Sequence, residues 1–144
     1  MKLKIKHLAP YLPYGLELTH GQMRNALLME DGFAQWGSNK EDCKISIGFA
    51  IENKFKPILR PLSDLKKDII HNGEPFNFYE YIEDKYYTLD YGRCIDRIIE
   101  DPRWMYQMPY MLIQELAEHH FDLDSLIEEN LAISINTINH PKGE

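Results

Sequence analysis

The spacing of apolar letters along this chain changes period several times, and each change marks a predicted element. Ile45, Ile47, Phe49 and Ile51 alternate with their neighbours in CKISIGFAIEN, the two-residue period of a half-buried strand. Leu131, Ile133 and Ile135 alternate with Ala132, Ser134 and Asn136 in the same way, which predicts a closing strand. Met108, Leu112, Ile113, Leu116 and Ala117 instead recur at steps of three and four behind Pro109, the signature of an amphipathic helix with proline in its first turn. Cys94, Ile95, Ile98 and Ile99 form a second helical stripe, with Pro102 ending it or starting another turn.

Elsewhere the punctuation decides. Pro10 and Pro13 stand among aromatics in HLAPYLPYGL, which predicts an extended arm packed on the core. GLELTHGQMRNALLME predicts two short strands joined at His20 and Gly21, and DGFAQWGSNKED predicts a loop. Pro57 and Pro61 deny ladder hydrogen bonds, so PILRP is expected to be a loop, followed by a short helix with Leu62, Leu65 and Ile69 on one face. Asn72-Gly73 is a turn signal, and the aromatics at 76, 78, 79 and 81 suit strand and helix equally. The sum is a single α+β domain over residues 1–144. A small antiparallel sheet, built from the N-terminal half and the final strand, is covered by helices from roughly residues 92 to 129, with residues 1–15 as a Pro-rich arm.

Composition narrows the class. A chain of 144 residues is long enough for one core that removes roughly 70% of the unfolded surface from water. The apolar fraction of 44% and charged fraction of 27% exclude a disordered or fibrous chain. No apolar run approaches the roughly 20 residues a membrane span needs, and the N-terminus lacks the apolar core and small-residue site of a secretory signal. Cys43 and Cys94 are too few and too far apart for a disulfide scaffold or a sulfur-based zinc site, which points to a reducing cytoplasm.

The densest chemistry is EHHFDLD, residues 118–124. Adjacent helical residues point about 100° apart, so His119 and His120 diverge and make a poor chelating pair. A metal reading would join His119, His120 and Asp122 to a distant ligand such as His71 or His140, for metal-assisted hydrolysis. The competing reading makes the stretch a corner between helices. Asp122 then caps a short helix, Phe121 and Leu126 form the apolar staple, and Asn130 ends that helix in the left-handed region, while the histidines occupy the last turn of the preceding helix. The corner accounts for more of the letters, so no metal is favoured.

The formal charge of −7 opposes nucleic acid, whose affinity rests on cations displacing counterions. Lys2, Lys4 and Lys6 at the start and Lys54, Lys56, Arg60, Lys66 and Lys67 in the middle are the concentrations of charge that could overcome it, the second group set against a bland solvated loop and helix face. FNFYEYIEDKYYTLDY has the aromatics to stack bases or sugars, but its interleaved acids favour core or interface packing. The chain has no GxGxxG, GxxxxGK[ST], GxSxG or CxxC, and no cofactor is expected.

Three stretches, HLAPYLPYGLEL, FKPILRPLSDLKKDI and MPYMLIQELAEHHFDLDSLIEENLAISINTI, together resemble a group of small uncharacterised proteins of phages and prophages of Bacteroides-type gut bacteria. In that group glycine is usual where Asn130 stands, which suits a residue of positive φ. The resemblance implies a phage-derived protein in a bacterial host cytoplasm and carries over no site residues. With catalytic spacing absent and tyrosine abundant, the expectation is a non-enzymatic accessory protein that binds a protein partner or a second copy of itself.

Overall fold

In a computed structural model the chain is described over residues 2–20, 26–29, 31–35 and 44–138. It begins with one helical turn, α1 (Ile5–Leu8), that runs into a 3-10 helix over Ala9–Tyr14. The arm is therefore helical where an extended one was expected. The fixed φ of proline suits the 3-10 region as well as the extended one, and Gly15 ends the turn at φ 65. It does pack on the core, through Leu8 and Tyr11, both fully buried.

Strands β1 (Glu17–Thr19), β2 (Ala26–Leu28), β3 (Phe33–Gln35) and β4 (Lys44–Ser46) follow as an antiparallel meander. β3 lies inside the predicted loop DGFAQWGSNKED, its alternation limited to one buried residue, Ala34. The strand read across CKISIGFAIEN stops at Ser46. The Ser46 hydroxyl accepts the Phe49 N–H at 3.1 Å and caps α2 (Ile47–Glu52), which buries Ile47 and Ala50 and leaves Phe49 half exposed. A three-residue spacing was hidden beneath an apparent two-residue one.

β5 (Lys56–Leu59) corrects the expected PILRP loop. Pro57 survives in a strand because the pairing changes sides along it: Lys56 and Pro57 pair antiparallel with β1, whereas Ile58 and Leu59 pair parallel with the closing strand. No residue of β5 is paired on both flanks. The helix expected after Pro61 shrinks to a 3-10 turn over Leu62–Asp64, since Ile69 is taken into β6 (Asp68–His71). β6 and β7 (Glu74–Asn77) form a separate hairpin about Asn72 (φ 53) and Gly73 (φ 81), the two left-handed positions that the Asn-Gly signal demands.

Asn77 settles the ambiguous aromatic stretch by capping α3 (Phe78–Lys85), whose Phe78 and Ile82 face inward. α4 (Tyr91–Glu100) buries Ile95 and Ile98, Pro102 starts a 3-10 helix over Pro102–Gln107, and α5 (Tyr110–Glu118) follows Pro109. β8 (Ile133–Ser134) and α6 (Ile135–Ile138) complete the described chain, so only two residues of the predicted closing strand are extended. The main sheet runs β4-β3-β2-β1-β5-β8, mostly antiparallel, with one buried apolar core drawn from arm, sheet and helices alike. The α+β reading holds. Among the described residues no helix is long and apolar enough to cross a membrane.

Candidate functional site

EHHFDLD is where three parts of the fold meet. α5 ends at a left-handed His120 (φ 64): the His120 N–H reaches the Ala117 carbonyl at 3.0 Å and the Phe121 N–H reaches Leu116 at 2.9 Å, a two-bond closure normally built on glycine. The turn throws the chain alongside the end of β5. There the Arg60 N–H donates to the His120 carbonyl at 2.7 Å, and the Asp122 N–H donates to the Arg60 carbonyl at 3.0 Å.

The two consecutive rings point apart. His119 is buried and donates from Nδ1 to the Glu115 carbonyl at 2.8 Å; a carbonyl only accepts, so this nitrogen holds the proton. Its ring stacks on Phe76 at 4.8 Å and 6° and touches Tyr81 and Phe78. His120 turns to the arm and donates from Nε2 to the Tyr14 carbonyl at 2.6 Å. Between them stands His71 of the hairpin, with ring centroids 4.7 Å from His119 and 6.4 Å from His120.

Arg60 closes the cluster. Buried at 6% exposure, it donates from Nε to the His119 carbonyl at 3.1 Å and from one terminal nitrogen to the Ile70 carbonyl at 2.9 Å, with His71 Nδ1 3.4 Å away. Carbonyl dipoles take the place of a carboxylate around this cation. Burial first, then His119, Arg60 and His120, pull His71 down to about 4, and burial likewise lowers His120. Near neutral pH His71 and His120 are therefore uncharged, and the cluster ties hairpin, β5 and the α5 corner together.

Asp122 faces away from those rings. Its carboxylate accepts the N–H groups of Leu126 and Ile127, both at 2.9 Å, while burial pushes its pKa up against these bonds. The short helix expected between Asp122 and Asn130 does not form: residues 123–130 are a run of turns, interrupted by the left-handed Ser125 (φ 57), and close at Asn130 (φ 62) with Leu131 N–H on Leu126 O and Asn130 N–H on Ile127 O. Among the described residues no group of three or more His, Cys, Asp and Glu side chains is arranged to hold a metal ion. His140 and Cys43 lie outside the described residues, and Cys94 is half-buried with its thiol pushed up chiefly by burial.

The five basic candidates separate. Lys54 and Lys56 line one hollow, Arg60 and Lys67 another that also holds Asp64 and Asp68, and Lys66 is paired with Asp96 at 2.5 Å. Lys67 pairs with Asp64 at 3.5 Å.

Two features escaped sequence reasoning. Glu115 is buried, and its carboxylate takes hydrogen bonds from Lys85 at 2.6 Å, Tyr86 at 2.7 Å and Tyr81 at 2.9 Å. Burial alone would push it up, but these three donors outweigh burial and hold it below the ordinary carboxylate range. The signal was present: Glu115 stands three residues after Leu112 and just before Leu116, on the buried stripe of α5. The second is an exposed aromatic run. Tyr106 is 80% exposed, Tyr110 73%, Met111 49% and Trp104 40%, while Tyr11, Phe78 and Phe121 are fully enclosed. Arg97 lies over the Trp104 ring at 5.3 Å, and the exposed Arg103 is held by Asp101. Set against known proteins, the chain matches no family model, no curated protein and no solved structure.

Proposed function

We propose that this chain is a non-enzymatic accessory protein whose work is to bind another protein, in the phage-derived, host-cytoplasmic setting that its resemblance implies. The observation that carries the reading is the exposed run from Trp104 to Met111. Tyrosine, tryptophan, methionine and arginine are the residues enriched where proteins dock; the two aromatics bury much area for little lost side-chain freedom, and methionine adapts its shape to the partner. The histidine-arginine cluster supports the same reading from the other side. Arg60, His119 and His120 each reach a backbone carbonyl and the rings of His71 and His119 pack on each other and on Phe76, which supports reading the cluster as a structural joint.

The test is retention of a partner from phage-carrying host cells on immobilised protein, alongside a variant with Tyr106→Ala and Tyr110→Ala. Both side chains are largely in solvent, so the variant keeps its melting temperature within about 2 °C. The expected outcome is a protein retained by the natural sequence, or a dimer in light scattering, that the double variant loses. A strict monomer that retains nothing defeats the proposal.

A further inference from the structure

A hollow of about 370 Å³ opens where the N-terminal residues, α2 and the closing segment meet. Its floor is apolar, supplied by Leu3, Ile51, Phe55 and Leu131. Its polar lining is Lys2, Lys54 and Lys56 against a single carboxylate, Glu52. Among the described residues none of these three lysines is in an ion pair, whereas Lys66, Lys67, Lys85, Arg93 and Arg103 each have an acidic partner. In a chain of net charge −7, this is a local excess of positive charge around a greasy floor.

The fold positions the backbone of Lys54 and the ammonium group of Lys56. Lys54 sits in the left-handed turn (φ 67) between α2 and β5. Lys56 Nζ donates to Asn130 Oδ1 at 3.3 Å. A glycine at 130 would satisfy the same positive φ, but it has no oxygen to hold this lysine. Asn130 thus closes a turn and steers a cation with the same side chain.

From this geometry we infer that the hollow is a binding site for a small amphipathic anion, a carboxylate or sulfonate head on an apolar body of a few carbons to two fused rings. The volume lies in the range of small-molecule sites, which pair an apolar lining with a few placed polar groups. The apolar body covers Phe55 and Leu131, and the head group sits among Lys54, Lys56 and Lys2. The inference stands apart from protein binding through Trp104 to Met111, and neither depends on the other.

Titration with anilinonaphthalene sulfonate, followed by fluorescence and repeated with uncharged phenylnaphthylamine, tests it. The sulfonate binds the natural protein in one-to-one stoichiometry, decanoate displaces it, and the uncharged probe binds about tenfold more weakly or worse. Lys54→Glu with Lys56→Glu weakens the sulfonate about tenfold, whereas Lys54→Arg with Lys56→Arg keeps it within about twofold. A thermal melt confirms that both variants are folded. Absence of binding to the natural protein, equal affinity for the two probes, or undiminished sulfonate binding by the glutamate variant each overturns the assignment.

Discussion

Tyr11 carries a hydroxyl that is completely enclosed and completely used: it donates to the Phe121 carbonyl at 2.6 Å and accepts the Leu123 N–H at 3.0 Å. Burial is the first reason that its pKa stands well above 10. Tyr11→Phe keeps the ring and leaves both backbone groups without a partner in the core. The expected cost is about 2 kcal/mol, seen as a lower urea midpoint with an unchanged slope. The same change at Tyr110, whose side chain is largely in solvent, should stay within about 0.5 kcal/mol and serves as the control.

At the scale of elements, the β6–β7 hairpin shows what a joint of neutral imidazoles does. The hairpin is no part of the main sheet; Arg60 holds it through the Ile70 carbonyl, and His71 packs it against His119. Its own turn depends on Asn72 at φ 53, where a Cβ-bearing residue without a short polar side chain is strained. Asn72→Ala is expected to cost about 1 kcal/mol, and hydrogen exchange should speed up at Ile69 and Phe76, paired across the hairpin, before it does in β1. Of this element only the turn was legible in advance, because Asn-Gly specifies it locally; Ile69 reads as part of a helical face, and the aromatics after Gly73 suit strand and helix equally. α4 and α5 were legible, because their apolar residues recur at steps of three and four. β5 was not legible, because a proline in a strand is tolerable only when its neighbours pair on alternate sides, and that is fixed by residues 17–19 and 133–134. α2 was missed because Ile47 and Phe49 share a side in a strand but separate in a helix, and Ser46 as cap tips the balance. The histidine cluster was half legible: different partners for His119 and His120 were expected from helix geometry, but they arise from the left-handed turn at His120 just past the helix end, and the arrival of His71 and Arg60 is purely tertiary.

For the molecule as a whole, the half-buried His71 and His120 set a direction of acid sensitivity. His71 falls to about 4 in the folded protein against an ordinary value near 6.5, so the unfolded chain takes up this proton first as pH drops. The stability it contributes is fully present above about pH 6.5, declines between 6.5 and 4, and levels off below; burial of His120 acts in the same sense. The expected loss from His71, discounted for its partial exposure to solvent, is about 1–2 kcal/mol across that window, read from urea melts at stepped pH. His71→Phe should flatten the decline between pH 6.5 and 4; a slope identical to that of the natural protein would remove His71 from the account.

The tyrosine that pins the N-terminal arm finds its two acceptor and donor groups 110 and 112 positions further along the chain. A ribosome adding roughly 5–20 residues per second needs several seconds to span that gap, and until then the arm can rest on α2 but has neither hydrogen bond of Tyr11. These helical turns are thus among the last parts of the fold to be locked, and a chain truncated before Phe121 yields a product in which residues 5–14 lack the Tyr11 anchor and are cut faster by proteases.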